Sequence, residues 1–165
     1  MNKYVTVVKT LMHLLICFSL PFNISAETIP GKVGQIIKSK KLEIQISSIE
    51  KKEKVGNEVM ESKASEGGVY LAIQWKYKNI SDAPITMFSQ PTIRLIDPKK
   101  AKYSPDIDAS SNYATELDID EKIVSDLNPG ITVKGAEVFE VSKELISQPG
   151  WKLLIEADQE VEIDL

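Results

Sequence analysis

The chain predicts an all-β fold, a sandwich of about seven to nine short antiparallel strands preceded by a signal peptide. Three observations carry this reading. Apolar residues recur at every second position in several segments, turn formers separate those segments, and no apolar stripe of helical period is sustained. The strongest segment is Val69 to Ser81, in which Val69, Leu71, Ile73, Trp75 and Tyr77 share one phase. Gln74, Lys76 and Lys78 fall between the later ones. A tryptophan at the centre of such a strand asks for a deep core around it.

The first residues read as a targeting segment. Lys3 and Lys9 form a positive start, Leu11 to Leu20 an apolar run, and Ile24-Ser25-Ala26 a small-residue cleavage site before Glu27. That run is short for a bilayer span, which needs about 20 residues. Cys17 follows Ile16 rather than the small residue a lipid-attachment motif wants. Cleavage after Ala26 removes both His13 and Cys17, the single histidine and the single cysteine. The remaining domain then has no disulfide, and packing alone stabilises it. It also leaves 18 basic against 24 acidic residues, a net of −6 where the full chain has −4. An acidic domain is a poor match for phosphate backbones, so no nucleic acid is expected as partner.

Residues 27–41, with Pro30, Gly31 and Gly34, read as a mobile lead-in, free to join a sheet late, and residues 42–165 as the sandwich domain. Leu42, Ile44 and Ile46 alternate with polar residues as a first strand, and Glu50 to Ser65 reads as a charged surface connection. After the central strand, Asn79 to Pro84 is dense in turn formers. Ile85 to Ser89 and Thr92 to Asp97 follow as short strands, with a turn at Asp97-Pro98. Ala109 to Glu116 is expected to form at most a helical turn, too short and polar to stand alone. Glu116 to Asp120 fits a charge-protected edge strand. Asn128-Pro129-Gly130 suits a type II turn, and Gly135 at a phase break within Ile131 to Val141 suggests a β-bulge. Two further strands carry Trp151, Leu153 and Ile155, then Val161, Ile163 and Leu165.

Tyr77-Lys78-Asn79, a turn, then Ile93-Arg94-Leu95-Ile96-Asp97 before Tyr103 form one set of landmarks. Asn128-Pro129-Gly130, Val133-Lys134-Gly135 and Val138-Phe139-Glu140-Val141 form another. Together they resemble the telokin-like domain family of unknown function in bacteria, over roughly Leu42 to Ile155. The resemblance implies an exported immunoglobulin-like sandwich, related in fold to a secreted mycobacterial immunogenic protein, with no catalytic residues to carry over. The chain departs from the pattern in lacking a lipobox and in a long insertion around Asp106 to Asp126.

Without histidine or cysteine in the exported part, Ser-His and Cys-His nucleophile pairs and imidazole or thiolate metal sites are excluded. No cofactor is expected. Asp106, Asp108, Ser110 and Asn112 follow the alternating oxygen-ligand spacing of a calcium loop. Ser111 stands where that loop wants glycine, and Leu117 where it wants glutamate, so a solvated acidic loop is the simpler reading. Ser48 and Lys51 match a serine–lysine pair without the helical setting it requires. Lysines at 38, 40 and 41, at 51, 52 and 54, and at 99, 100 and 102 are interleaved with acids, as on a mixed solvated face. Tyr70, Tyr103 and Tyr113 are expected to pack rather than to anchor a glycan. Asn79-Ile80-Ser81 spells a glycosylation acceptor that a bacterial chain would not use.

The functional expectation is an exported, non-enzymatic immunoglobulin-like module, in the periplasm or extracellular space, that binds a protein or cell-envelope partner and has no integral membrane span. One alternative is a carboxylate-dependent envelope hydrolase using acids among Asp106, Asp108, Glu116, Asp118, Asp120 and Glu121. Another is an adhesion module stabilised by calcium at the Asp106 loop.

Overall fold

The computed structural model of the chain describes residues 28–119 and 125–165. The expected signal peptide, and Asp120 and Glu121 of the acidic insertion, lie outside the described residues. Eleven strands and one helix are described: β1 (Ile29–Gly31), β2 (Ile37–Lys38), β3 (Leu42–Lys52), β4 (Lys54–Gly56), β5 (Glu61–Lys63), β6 (Gly68–Asn79), β7 (Thr92–Ile96), β8 (Lys102–Tyr103), α1 (Ile107–Glu116), β9 (Thr132–Ser142), β10 (Lys152–Glu156) and β11 (Val161–Asp164). One sheet runs β1-β11-β10-β7-β8 and a second runs β2-β3-β6-β9, while β4 and β5 form a separate hairpin.

The two larger sheets face each other across the main core. β6 is its centre, paired antiparallel with β3 on one side and β9 on the other. Its odd-numbered residues point inward, as the period of two demands. Leu71, Ile73 and Trp75 join Ile44, Phe139 and, from the opposite sheet, Leu95 and Leu153 in one buried cluster.

The even-numbered residues of β6 face a second layer. Tyr70 and Ala72 pack with Ala136 and Val138 of β9, Val55 of β4, and Ala109, Tyr113 and Ala114 of α1. Small residues at 72, 109 and 136 let the helix lie close on the sheet. Asp106 caps α1, its carboxylate accepting from the Ala109 N–H at 2.9 Å, and Asp108 sits in the first turn where the helix dipole favours an acid. Lys52 lies 4.9 Å from the Tyr113 ring centroid and pairs with Glu116, whose other oxygen accepts from the Gly56 N–H.

Several expectations are corrected. The strands number eleven because short pieces at 29–31, 54–56 and 61–63 also pair, so the charged connection after Glu50 is β3 continuing into a hairpin. The sandwich is not wholly antiparallel, since the lead-in adds β1 parallel to β11. The segment at 107–116 is a ten-residue helix rather than one turn, because tertiary packing supplies the stability its composition lacks. Residues 117–119 form no strand; Leu117 and Ile119 pack beside the second core. Ile85 to Ser89 gives only a bridge from Ile85 to Leu127 and a 3-10 turn at Met87–Ser89.

The expected bulge at Gly135 does not exist. β9 pairs with β6 without interruption, and the bulge lies on β3 between Ile46 and Ser48. The apolar phase of β9 breaks because both of its faces are buried. Ala136 and Val138 lie under α1, and Phe139 and Val141 lie in the main core. The expected turns hold: Gly130 has φ 78° and the Ile131 N–H reaches the Asn128 carbonyl. Asp97 Oδ1 accepts from the Lys99 and Ala101 N–H groups.

Candidate functional site

β9 is the outer strand of the second sheet, and β8 covers β7 only at Leu95 and Ile96. The open side of the sandwich therefore lies between residues 132–137 and residues 91–94. A pocket of about 270 Å³ sits there, walled by Trp75, Tyr77, Ile93, Val133, Pro91 and Pro105, with Arg94, Lys134 and Glu137 also lining it. A hollow of about 480 Å³ shares Arg94, Pro105 and Glu137 with it and extends to Ile107, which is 82% exposed.

Trp75 forms the inner wall. It is buried to 4% exposure, and its Nε1–H has no hydrogen-bond partner. Leaving such a donor unsatisfied costs about 1–3 kcal/mol. The indole lies over Gly135, directly opposite on β9; a Cβ at that position would fall 2.4 Å from Nε1. Glycine thus leaves the space that the indole edge itself fills, as strand glycines do where groups approach closely.

The neighbouring groups are fixed. The Tyr77 hydroxyl donates to Gln90 Oε1 at 2.8 Å, and its ring centroid lies 4.9 Å from that of Trp75. Gln90 in turn donates to the Ser125 carbonyl at 2.7 Å. Arg94 donates to Ser104 and, at 3.3 Å, to Glu156, which also receives Lys102 at 3.1 Å. Burial raises the Glu156 pKa, but the hydrogen bonds from Lys102 and Arg94 outweigh it and hold the carboxyl below its ordinary value.

The edge of β9 has its own polarity. The Asn79 N–H donates to the Ile131 carbonyl, so odd-numbered residues bond β6 and even-numbered ones turn their N–H and C=O outward. Those of Val138 are taken by the start of α1: its carbonyl accepts from the Asp106 N–H at 2.7 Å and its N–H reaches Ser110 Oγ at 2.9 Å. At Thr132 and Lys134 no strand lies alongside among the described residues. On the outer face Lys76 and Lys134 stand opposite each other, and neither takes part in a salt bridge among the described residues.

The residues singled out for calcium do not form a loop. Asp106 caps α1, Ser110 holds Val138, and Asn112 donates to Ser62. Positions two apart on a helix turn by about 200°, so the four side chains alternate around the axis instead of converging. Of the acids considered for hydrolysis, Glu116 is tied to Lys52 and Gly56. Glu156 and Asp158 do share a pocket, but Asp158 is held by Ser39 and the Lys41 N–H. Ser48 pairs with Gln74 and Lys51 with Leu71, which places them on opposite faces of β3. Asn79 is wholly buried and bonds the Ala83 and Leu127 carbonyls and Ser81, so it is a turn anchor. Tyr70 and Tyr113 pack in the second core.

Sequence reasoning missed the pocket. Its signal was Gly135 in mid-strand, two residues after Val133, but pairing with Trp75 is visible only once the β6–β9 register is known. No helix among the described residues is long and apolar enough to cross a membrane.

Comparison with known proteins agrees with this architecture. The chain is 46% identical over 132 residues to the uncharacterized protein YxkC of Bacillus subtilis (strain 168), covering 79% of this chain and 73% of that one. Its fold is similar to that of a conserved hypothetical protein from Bacillus anthracis, with TM-score 0.72, 23% identity, and 81% and 94% of the two chains covered. It is also similar to an uncharacterized beta-sandwich protein from Clostridium difficile 630, with TM-score 0.59, 21% identity, and 88% and 99% covered. Residues 31–148 match the family model described as Domain of unknown function (DUF4352), and the chain belongs to that bacterial β-sandwich family.

Proposed function

We propose that this chain is an exported, non-enzymatic binding module of immunoglobulin-like build that holds a protein of the cell envelope or its surroundings at the open side of its sandwich. One observation carries the reading: an apolar pocket between two uncovered strand edges, with Trp75 and Tyr77 in its wall. Apolar walls with a few placed polar groups are what ligand sites present. Export rests on the apolar run Leu11 to Leu20 followed by the Ala26 site. The likeness to telokin-like domains supports a scaffold whose edges and end loops bind rather than catalyse.

The test places a photo-crosslinking residue at Thr132, beside the pocket mouth, in the full chain expressed in its own cells. A second, control position is Val59 at the tip of the β4–β5 hairpin. The expected result is a discrete protein adduct from Thr132 in the envelope or medium fraction that Val59 does not give. A protein retained in the cytosol, or identical adducts from both positions, overturns the proposal.

A further inference from the structure

We infer that the partner is bound by strand addition: an extended apolar–acidic–apolar segment lies along the free edge of β9 with its acidic residue beside Lys134. The inference rests on the binding reading above and specifies its chemistry. Three features of the β9 edge point to it.

The first is the backbone. Thr132 and Lys134 turn their N–H and C=O groups outward, and the structure places no strand beside them among the described residues. An uncovered edge of this kind is a template for another extended chain. Nearer α1 the template ends, because Val138 is already bonded by Asp106 and Ser110. The available edge is thus short, and only about three partner residues can pair along it.

The second is the row of side chains that an added strand would extend. Across the second sheet, Gln45, Lys76 and Lys134 stand in one row on the outer face. Two like charges directly opposite each other are destabilising, and no acid of the described chain neutralises this pair. The next place in the row belongs to the partner residue that pairs with Lys134. A carboxylate there meets the unmatched positive charge.

The third is the inner face. The rows on either side of Lys134 run through Ile46, Trp75 and Gly135, and through Ile44, Tyr77 and Val133. Their next places open on the pocket, whose lining there includes Trp75, Tyr77, Ile93 and Val133. The partner residues flanking the acid therefore point inward and are apolar.

The probe is a displayed heptapeptide library with its three central positions fully varied, selected against the immobilised full chain. Selected peptides should carry Asp or Glu at the middle of the three and apolar residues on both sides. Selection against Lys134→Glu should exchange the middle preference for Lys or Arg, a reversal that loss of structure would not produce. Bound peptide should also slow hydrogen exchange of the Lys134 amide by at least about tenfold at saturation, as a newly bonded edge N–H requires. A pool with no acidic preference, an unchanged preference with Lys134→Glu, or binding that leaves the Lys134 amide unprotected overturns strand addition. If the Thr132 crosslinks form while any of these results is seen, the binding reading stands and this inference alone falls. Absence of both crosslinks and selected peptides removes the two together.

Discussion

At the scale of single residues, Trp75 is both one of two tryptophans in the main core and an unsatisfied donor. Those roles separate by substitution. Trp75→Ala should cost about 3–5 kcal/mol in chemical denaturation, the usual result of emptying a large aromatic site. Trp75→Phe keeps most of the packing and removes the orphan N–H, so its cost should stay below about 1.5 kcal/mol. If the two variants lose equal stability, the indole N–H is satisfied in solution. Gly135→Ala tests the same contact from the other strand. Its Cβ would sit 2.4 Å from Nε1, so the indole must move, at a cost of about 1–3 kcal/mol. The readout is the denaturation midpoint together with a change in tryptophan fluorescence.

Asn79 shows how far a single residue was legible. The sequence marked it as a turn former, and the structure bonds its Oδ1 to the Ser81 N–H two residues on, as an Asn-started turn requires. Its other half, reaching the Leu127 carbonyl 48 residues away, could not be read, because no local pattern encodes it.

At the scale of elements, α1 depends on its cap and on one bond to the sheet. Asp106→Ala should cost about 1 kcal/mol by removing the acceptor for the Ala109 N–H. Ser110→Ala leaves the buried Val138 N–H without its partner and should cost about 1–3 kcal/mol. Denaturant titration of both variants measures this; neutral effects would mean that α1 does not rest on the sheet in solution. The helix was missed in the sequence for an identifiable reason. Its stripe of Ala109, Tyr113 and Ala114 is narrow and mostly small, and it becomes stable only against Ala72 and Ala136.

β7, β8 and β10 meet at Glu156, which accepts from Arg94 and Lys102. Its folded-state pKa is lowered, so the unfolded chain binds its proton more readily than the native one does. The stability it contributes is therefore fully present above the ordinary carboxylate value of about 4.3 and is lost as pH falls through the folded value. Glu156→Gln should flatten the stability profile in that acid range and leave its slope near neutral pH unchanged. Denaturation midpoints at a series of acid pH values check it. The side chain is partly exposed, so the effect should be modest.

At the scale of the whole molecule, two apolar cores share the strands β6 and β9. Alternate residues of both strands enter the inter-sheet core and the layer beneath α1. Unfolding either core strips one face from the same two strands, which predicts a single cooperative transition. Tryptophan fluorescence, reporting on Trp75 and Trp151, and amide protection at Tyr113 should vanish at the same denaturant concentration. Two separated transitions would make the α1 layer an independent unit.

The sequence alone determined the β character, the inward phase of Val69 to Tyr77, and the turns at Asp97 and at Asn128 to Gly130. These depend on local rules: alternation along a strand, and backbone angles that particular residues favour. It also determined the poverty in histidine and cysteine, which narrows the chemistry available. Tertiary structure decided what pairs with what. β1 joining β11, the bulge on β3, the helix on the outer face, and Gly135 beneath Trp75 all bring together residues far apart in the chain. Register is a long-range property, and a shift of one residue would turn every side chain of β9 to the other face. Because the pocket exists only in the register that sets Gly135 against Trp75, it could be found only in the folded molecule.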